Sequence, residues 1–150
     1  MRIITLILLA AASMTASATQ SATYKVTITN LTKGQPMTPP VVVAAHRGYQ
    51  LFKLGEQASE GLRYLAEDGV TDNLVMQISD NSKVKAHAVG SGLIMPGQSQ
   101  SIEITAPSHA RLSLVSMLAK TNDAIVARKN LPLRFKKGKA YSVLAKAAAS

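Results

Sequence analysis

Three histidines, His46, His87 and His109, and eight acids are the residues of this 150-residue chain that could do metal or acid–base chemistry. The histidines lie far apart, with no i,i+4 pair and no cysteine to join them. A zinc site draws on a cluster of such ligands, and a catalytic one keeps three of them. The closely spaced carboxylates are Glu67 with Asp68, and Glu56 with Glu60. Acid–base catalysis needs two such groups facing one bond. Both pairs instead fall at the ends of an expected helix, where solvated acids are ordinary. There is no Gly-x-Ser-x-Gly elbow, and "VGSGLIMPG" (residues 89–97) fits neither dinucleotide nor phosphate-loop spacing. It reads as a turn between strands. Four Tyr and two Phe without Trp make a weak stacking platform for sugars and a poor one for single-stranded nucleic acid. These residues supply no nucleophile–base pair, so the chain reads as non-catalytic. One acid stands apart: Asp123, in "TNDAIV", is the last acidic side chain of the sequence. It is either a ligand, a metal being one choice, or part of a turn in which Asn122 and Asp123 bond back to the backbone.

Beyond Asp123 the chain is basic. Arg128, Lys129, Arg134, Lys136, Lys137, Lys139 and Lys146 follow with no acid among them, within a formal net charge of +9. Such a field attracts anionic polymers such as lipopolysaccharide, polysaccharide or phospholipid surfaces, and it equally serves as a solvated face that resists aggregation. Arg128, Lys129, Arg134, Lys136, Lys137 and Lys139 are the candidate contacts to an anionic partner. No specific nucleic-acid partner is expected.

The amino terminus sets the expected address. Arg2, an apolar run over residues 3–12, and Ala16-Ser17-Ala18 form the three-part pattern of a secretory signal peptide. The run is about half the ~20 residues needed to span a bilayer, so no membrane span is expected after cleavage. Cleavage after Ala18 places the mature chain, residues 19–150, in the periplasm or outside the cell. Losing Arg2 leaves sixteen basic against eight acidic residues, a net +8. Export permits disulfides, but with no cysteine the single domain must be held by packing.

The elements that would position these residues are mostly strands. "YKVTITNL" alternates, with Tyr24, Val26 and Ile28 on one face, as in a half-buried antiparallel strand. "VVVAAH" is short, apolar and β-branched, a buried strand. "ASEGLRYLAEDG" places Leu62, Leu65 and Ala66 at helical spacing, with Ser59 to cap the start and Gly69 to close the end. "TDNLVMQIS" is a second short helix, capped by Thr71 or Asp72, with Leu74, Val75 and Ile78 inward. Strands resume at "KVKAHAVG", "QSIEITA" and "ARLSLVSMLA". The last of these turns Leu112, Leu114 and Met117 inward with an irregularity between them. A short "AIVA", a break at Pro132, a final strand near "AYSVLA" and a frayed Ala-rich end complete the chain. About seven strands, with short helices inserted after the second, make an all-β sandwich with a long decorated connection.

Two long stretches carry a family likeness. "YKVTITNLTKGQPMTPPVVVAAH" followed by "LFKLGEQASEGLRYLAEDG", and later "RLSLVSMLAKTNDAIVA", closely resemble bacterial spondin-domain proteins over residues 24–133. The resemblance implies a C2-like antiparallel β-sandwich, related to the N-terminal region of the secreted matrix protein F-spondin. In that relative it is an extracellular binding module, not an enzyme, and it holds calcium at one end. The acid in the turn after the Ser-Met strand is one of its ligands, and Asp123 matches that position. The other acids lie in a later segment resembling Asp-Ala-Gly-Thr. Here the sequence departs: after Asn130 it reads "LPLRFKKGKAYSVLAKAAAS", without an acid. Calcium takes six to eight oxygens, so one carboxylate with backbone carbonyls would hold it weakly. The resemblance thus implies an extracytoplasmic binding or adhesion module.

Overall fold

A computed structural model describes residues 20–133 together with 138, 140, 142, 143, 145 and 147–149. The leader expected over residues 1–18 lies outside them. Seven strands are formed by the described residues: β1 (Ser21–Thr29), β2 (Val41–Ala45), β3 (Val84–Val89), β4 (Ser99–Pro107), β5 (Arg111–Met117), β6 (Ala124–Pro132) and β7 (Ala147–Ala149). Two helices, α1 (Glu60–Asp68) and α2 (Asp72–Ser79), fall between β2 and β3. β1 pairs with β4, and the other strands form a sheet in the order β3-β2-β5-β6-β7, every pair antiparallel. The all-β sandwich with inserted helices read from the sequence is therefore the fold.

β1 and β4 show why alternation matters. Tyr24 lies opposite Ile104 and Val26 opposite Ile102, facing the core. Their other face carries hydroxyl pairs: Thr23 with Thr105, Thr27 with Ser101, and Thr29 with Ser99, at 2.7–2.8 Å. β2 does not alternate, because both of its faces are covered. Val42 and Ala44 enter the core between the sheets with Ile28, Ile102, Ile104, Leu112 and Leu114. Val41, Val43 and Ala45 enter a second core, against Leu62, Leu65, Leu74 and Ile78 of the helices. The inserted connection is thus a third layer on the outer face of the larger sheet. Each valine or leucine buried this way contributes about 1.5–3 kcal/mol.

α1 begins where Ser59 Oγ accepts the Leu62 N–H at 3.3 Å. It ends at Gly69, whose left-handed backbone (φ 69°) turns its N–H onto Leu65 O at 3.0 Å. α2 starts after Thr71, but no Thr71 side-chain hydrogen bond caps it. Leu74 and Ile78 are buried as expected, whereas Val75 is only half-buried. The helices touch closely at Gly61: a Cβ there would come 2.7 Å from Leu74 Cα.

The irregularity expected in β5 is a bulge whose extra residue belongs to β6. Leu112 pairs with Leu131, but Leu114 pairs with Arg128, so β6 has one residue too many. Asn130 absorbs it with φ 61°, and its N–H reaches Ser113 Oγ at 3.2 Å. β6 consequently runs through Pro132, beyond the short "AIVA" and the break expected there. Met117 is buried, but with odd parity it faces the helices beside Gly69, and Leu118 joins Leu112 and Leu114 between the sheets. The last strand also differs from expectation. Of "AYSVLA", the described residues 140, 142, 143 and 145 are not in a strand, while Tyr141 and Leu144 lie outside the described residues. The strand is Ala147–Ala149, pairing with Ala124–Val126 where a frayed end was expected. Backbone groups alone complete such a ladder, so poor side-chain content does not forbid it.

Candidate functional site

Three loops close one end of the sandwich: residues 30–40, residues 90–98 and the turn 118–123. Asn30 ties the first two together. It continues the inward parity of Tyr24, Val26 and Ile28, so a polar side chain stands where an apolar one is expected, and it is completely buried. Its amide Nδ2 donates to Gln35 O at 2.7 Å and to Ile94 O at 2.8 Å. Its Oδ1 accepts from the Thr32 N–H at 3.0 Å and Oγ1 at 2.7 Å. Its backbone pairs with Gln98 O and with the Gly97 N–H. A buried amide is tolerated only when so satisfied. Met37 then bridges Ile94 on one side and Leu118 on the other.

Ser116 is a second buried polar residue at an inward position. It donates to Thr38 O at 2.7 Å, while Thr38 Oγ1 accepts the Met117 N–H at 3.0 Å. These contacts fasten the "MTPP" segment to the Ser-Met end of β5. The third loop joins through Ala119 N–H to Pro36 O at 2.8 Å and Lys120 N–H to Gln35 Oε1 at 3.2 Å. Within it the hydroxyl of Thr121 donates to Leu118 O at 2.7 Å and accepts the Ala124 N–H at 3.1 Å. Thr121, just before Asn122 and Asp123, thus spans the turn with its hydroxyl. Asp123 itself is half-buried at this end. Among the described residues, no three of His, Asp and Glu gather as a metal site would require. Asp68 and Asp72 thus do not complete one with it.

The profile of the spondin N-terminal domain family matches residues 33–139. The chain belongs to that family. No curated protein matches it. The matched span begins within the first loop, and includes the turn that holds Asp123. In this spondin domain two segments that carried the resemblance meet in the cage of buried hydrogen bonds at this end: Ser116 Oγ, from "LVSML", donates to Thr38 O, from "MTPP", at 2.7 Å.

The basic candidates divide. Arg128 is exposed on β6. Lys129 is partly engaged: its Nζ lies 5.1 Å from the centroid of the Phe52 ring and 3.4 Å from Phe52 O. Arg134, Lys136, Lys137 and Lys139 lie outside the described residues. His46, His87 and His109 are all exposed and sit on separate segments. His46 Nδ1 accepts the Gly48 N–H at 3.3 Å. Two open grooves lie beside the helices. The larger, about 470 Å³, is lined by Glu60, Gly61, Tyr64, Asn73, Met76 and Gln77. The smaller, about 200 Å³, runs along residues 50–53. Among the described residues, no helix is long and apolar enough to cross a membrane.

Sequence reasoning passed over Asn30, Thr32, Thr38 and Ser116. The signal was present in parity: a polar residue that extends the inward register of an alternating strand must find buried partners.

Proposed function

We propose that this spondin domain is an exported, non-catalytic module that binds or adheres outside the cytoplasm. The family membership over residues 33–139 carries the reading. Support comes from the leader pattern and from a sandwich end whose loops are fixed by buried hydrogen bonds, as a binding surface requires. The test is capture from cell-envelope extract by the processed protein, at low and high salt. Reproducible retention of one component at both salt levels is expected. A catalytic turnover lost on a single polar substitution would overturn the reading.

The second reading is an electrostatic binder of anionic envelope polymers through Arg128, Lys129, Arg134, Lys136, Lys137 and Lys139. It draws on the acid-free stretch after Asp123 and the net charge of +9. It expects affinity that falls steeply with salt. Affinity unchanged by salt, or by Lys136→Glu with Lys137→Glu, counts against it.

A further inference from the structure

Burial falls off along one flank of the space between the sheets. In the larger sheet Leu114, Ser116 and Leu118, along β5 and just past it, are buried. Their partners across β6 are Arg128, Val126 and Ala124. Cross-strand partners share a face, so these three also point between the sheets. Yet Val126 and Ala124 are only half-buried, and Arg128 is exposed. The smaller sheet shows the same gradient. Ile102, Ile104 and Ala106 of β4 are buried, whereas Val26 and Tyr24 opposite are half-buried and Ala22 is exposed. β4 lies close to β3 and β2, and Gln100 Nε2 donates to Ser91 Oγ at 2.9 Å just past β3. β1 is therefore the outer strand, on the β6 side, and a slot with apolar walls runs between its edge and the inner face of β6.

The backbone of β1 is set to receive a strand there. Asn30 N–H donates to Gln98 O at 2.9 Å and Ser108 N–H to Gln20 O at 3.3 Å, just beyond the two ends of the β1–β4 ladder. Both pairs continue its register, so the even-numbered residues of β1 exchange hydrogen bonds with β4. The N–H and C=O groups of Ser21, Thr23, Lys25, Thr27 and Thr29 point the other way. Pro107, which has no N–H, stands opposite Ser21, where none is needed. Among the described residues, β1 pairs with β4 alone.

The geometry points to capture of an extended, acid-bearing peptide segment of a partner protein, added as a strand to the outer edge of β1. Its inward side chains are apolar and meet Tyr24, Val26, Val126 and Leu131, and one inward carboxylate pairs with Arg128. The inference rests on the reading of an exported binding module, and names its surface and partner. Main-chain bonds along the edge supply affinity, and the alternate side-chain positions supply specificity. Charge selects the partner. In the inward rows Tyr24, Val26, Ile28 and Ala124, Val126, Arg128, the single charge is Arg128. A second copy adding its own β1 would bring "SATYKVTIT", with a lysine and no carboxylate. The chain's own residues after Asn130 carry no acidic side chain either.

The test uses the protein as processed and recovered from the expressing cell. The probes are short synthetic peptides that alternate valine with threonine and carry glutamate, glutamine or lysine in place of one valine. The glutamate peptide should bind tightest, and a scrambled peptide of the same composition should not bind. Amide exchange followed by NMR reads the register. Thr23, Lys25 and Thr27 should exchange fast in the free protein and slow when the glutamate peptide is added, while Tyr24 and Val26 are slow throughout. Thr27→Pro removes only an edge N–H, which an edge strand tolerates, and should abolish binding. Arg128→Glu should shift the preference from the glutamate to the lysine peptide by about tenfold or more. Arg128 is exposed, so this variant keeps the test open should the proline variant misfold, and circular dichroism and melting check both. No binding of the glutamate peptide, or binding that persists in folded Thr27→Pro protein, overturns the inference. So does an unchanged preference in Arg128→Glu. Slow exchange at Thr23, Lys25 and Thr27 before any peptide is added also overturns it, since the chain itself, or a second copy if sedimentation shows a dimer, would then own the edge. Envelope capture that survives both variants refutes the slot and leaves the binding module standing.

Discussion

Replacing Asn30 by alanine removes the side chain that holds two loops together, and the cost follows from its partners. Of the two carbonyls it serves, Ile94 O keeps the Met37 N–H at 3.0 Å, and Gln35 O, 2.7 Å from Thr32 Oγ1, takes the hydroxyl proton that Oδ1 shares in the parent. The Thr32 N–H loses Oδ1, its acceptor at 3.0 Å. Each lost bond costs about 1 kcal/mol net, and a buried donor left unpaired costs about 1–3 kcal/mol. With the small cavity, Asn30→Ala should destabilise by about 3–4 kcal/mol. That is a large share of the ~5–15 kcal/mol that holds a domain of this size together. The midpoint of thermal unfolding should fall by about 10 °C. Calorimetry and urea titration measure it, and amide exchange at Ile94 and Gly97 should accelerate more than in β2. Thr32→Val, which removes only the hydroxyl, should cost about 1–2 kcal/mol. Because the two residues share bonds, the double variant should fall short of the sum by about 1 kcal/mol or more. A loss below about 0.5 kcal/mol for Asn30→Ala would refute the cage as a source of stability.

Gly69→Ala should cost about 1–3 kcal/mol, read by urea titration, because φ is 69° and the new Cβ would sit 2.8 Å from Thr38 Cγ2. An unchanged midpoint would mean that α1 does not end against Thr38. Burial pushes the Tyr49 phenol above its ordinary 10.0. The folded state then binds its proton more tightly than the unfolded one, so this stability is present below the unfolded value and drains away as pH rises past it. Urea midpoints measured between about pH 9 and 11 should therefore fall less steeply in Tyr49→Phe than in the parent. Chelator-washed protein titrated with millimolar calcium should give no heat and no melting shift, since no three acids or histidines gather among the described residues. A melting shift abolished by Asp123→Asn would instead establish a cation site there.

Much of the secondary structure is legible in single segments. The alternation of Tyr24, Val26 and Ile28 fixes β1, and the Ser59 and Gly69 caps fix α1. These features depend on residues within a few positions of one another. The helix layer is less legible: apolar periodicity in α1 shows that a face is buried, but not that it lies on the far side of the larger sheet. The bulge at Asn130 and the pairing of Ala147–Ala149 depend on backbone register between strands, which leaves little mark on side-chain pattern.

For the candidate site, the sequence pointed at Asp123 and at the basic stretch after it, because both are visible as charge along the chain. It could not show that the Thr121 hydroxyl spans the turn, or that Asn30 meets Ile94 across 64 positions and Ser116 meets Thr38 across 78. By itself the sequence determined the family, the strand and helix content, the absence of disulfides and the balance of charge, since each is set by composition or local order. Only the tertiary structure decided which loops form the caged end and that Asn30 and Ser116 tie them together. Those are outcomes of long-range register and buried hydrogen bonding, and no single segment contains them.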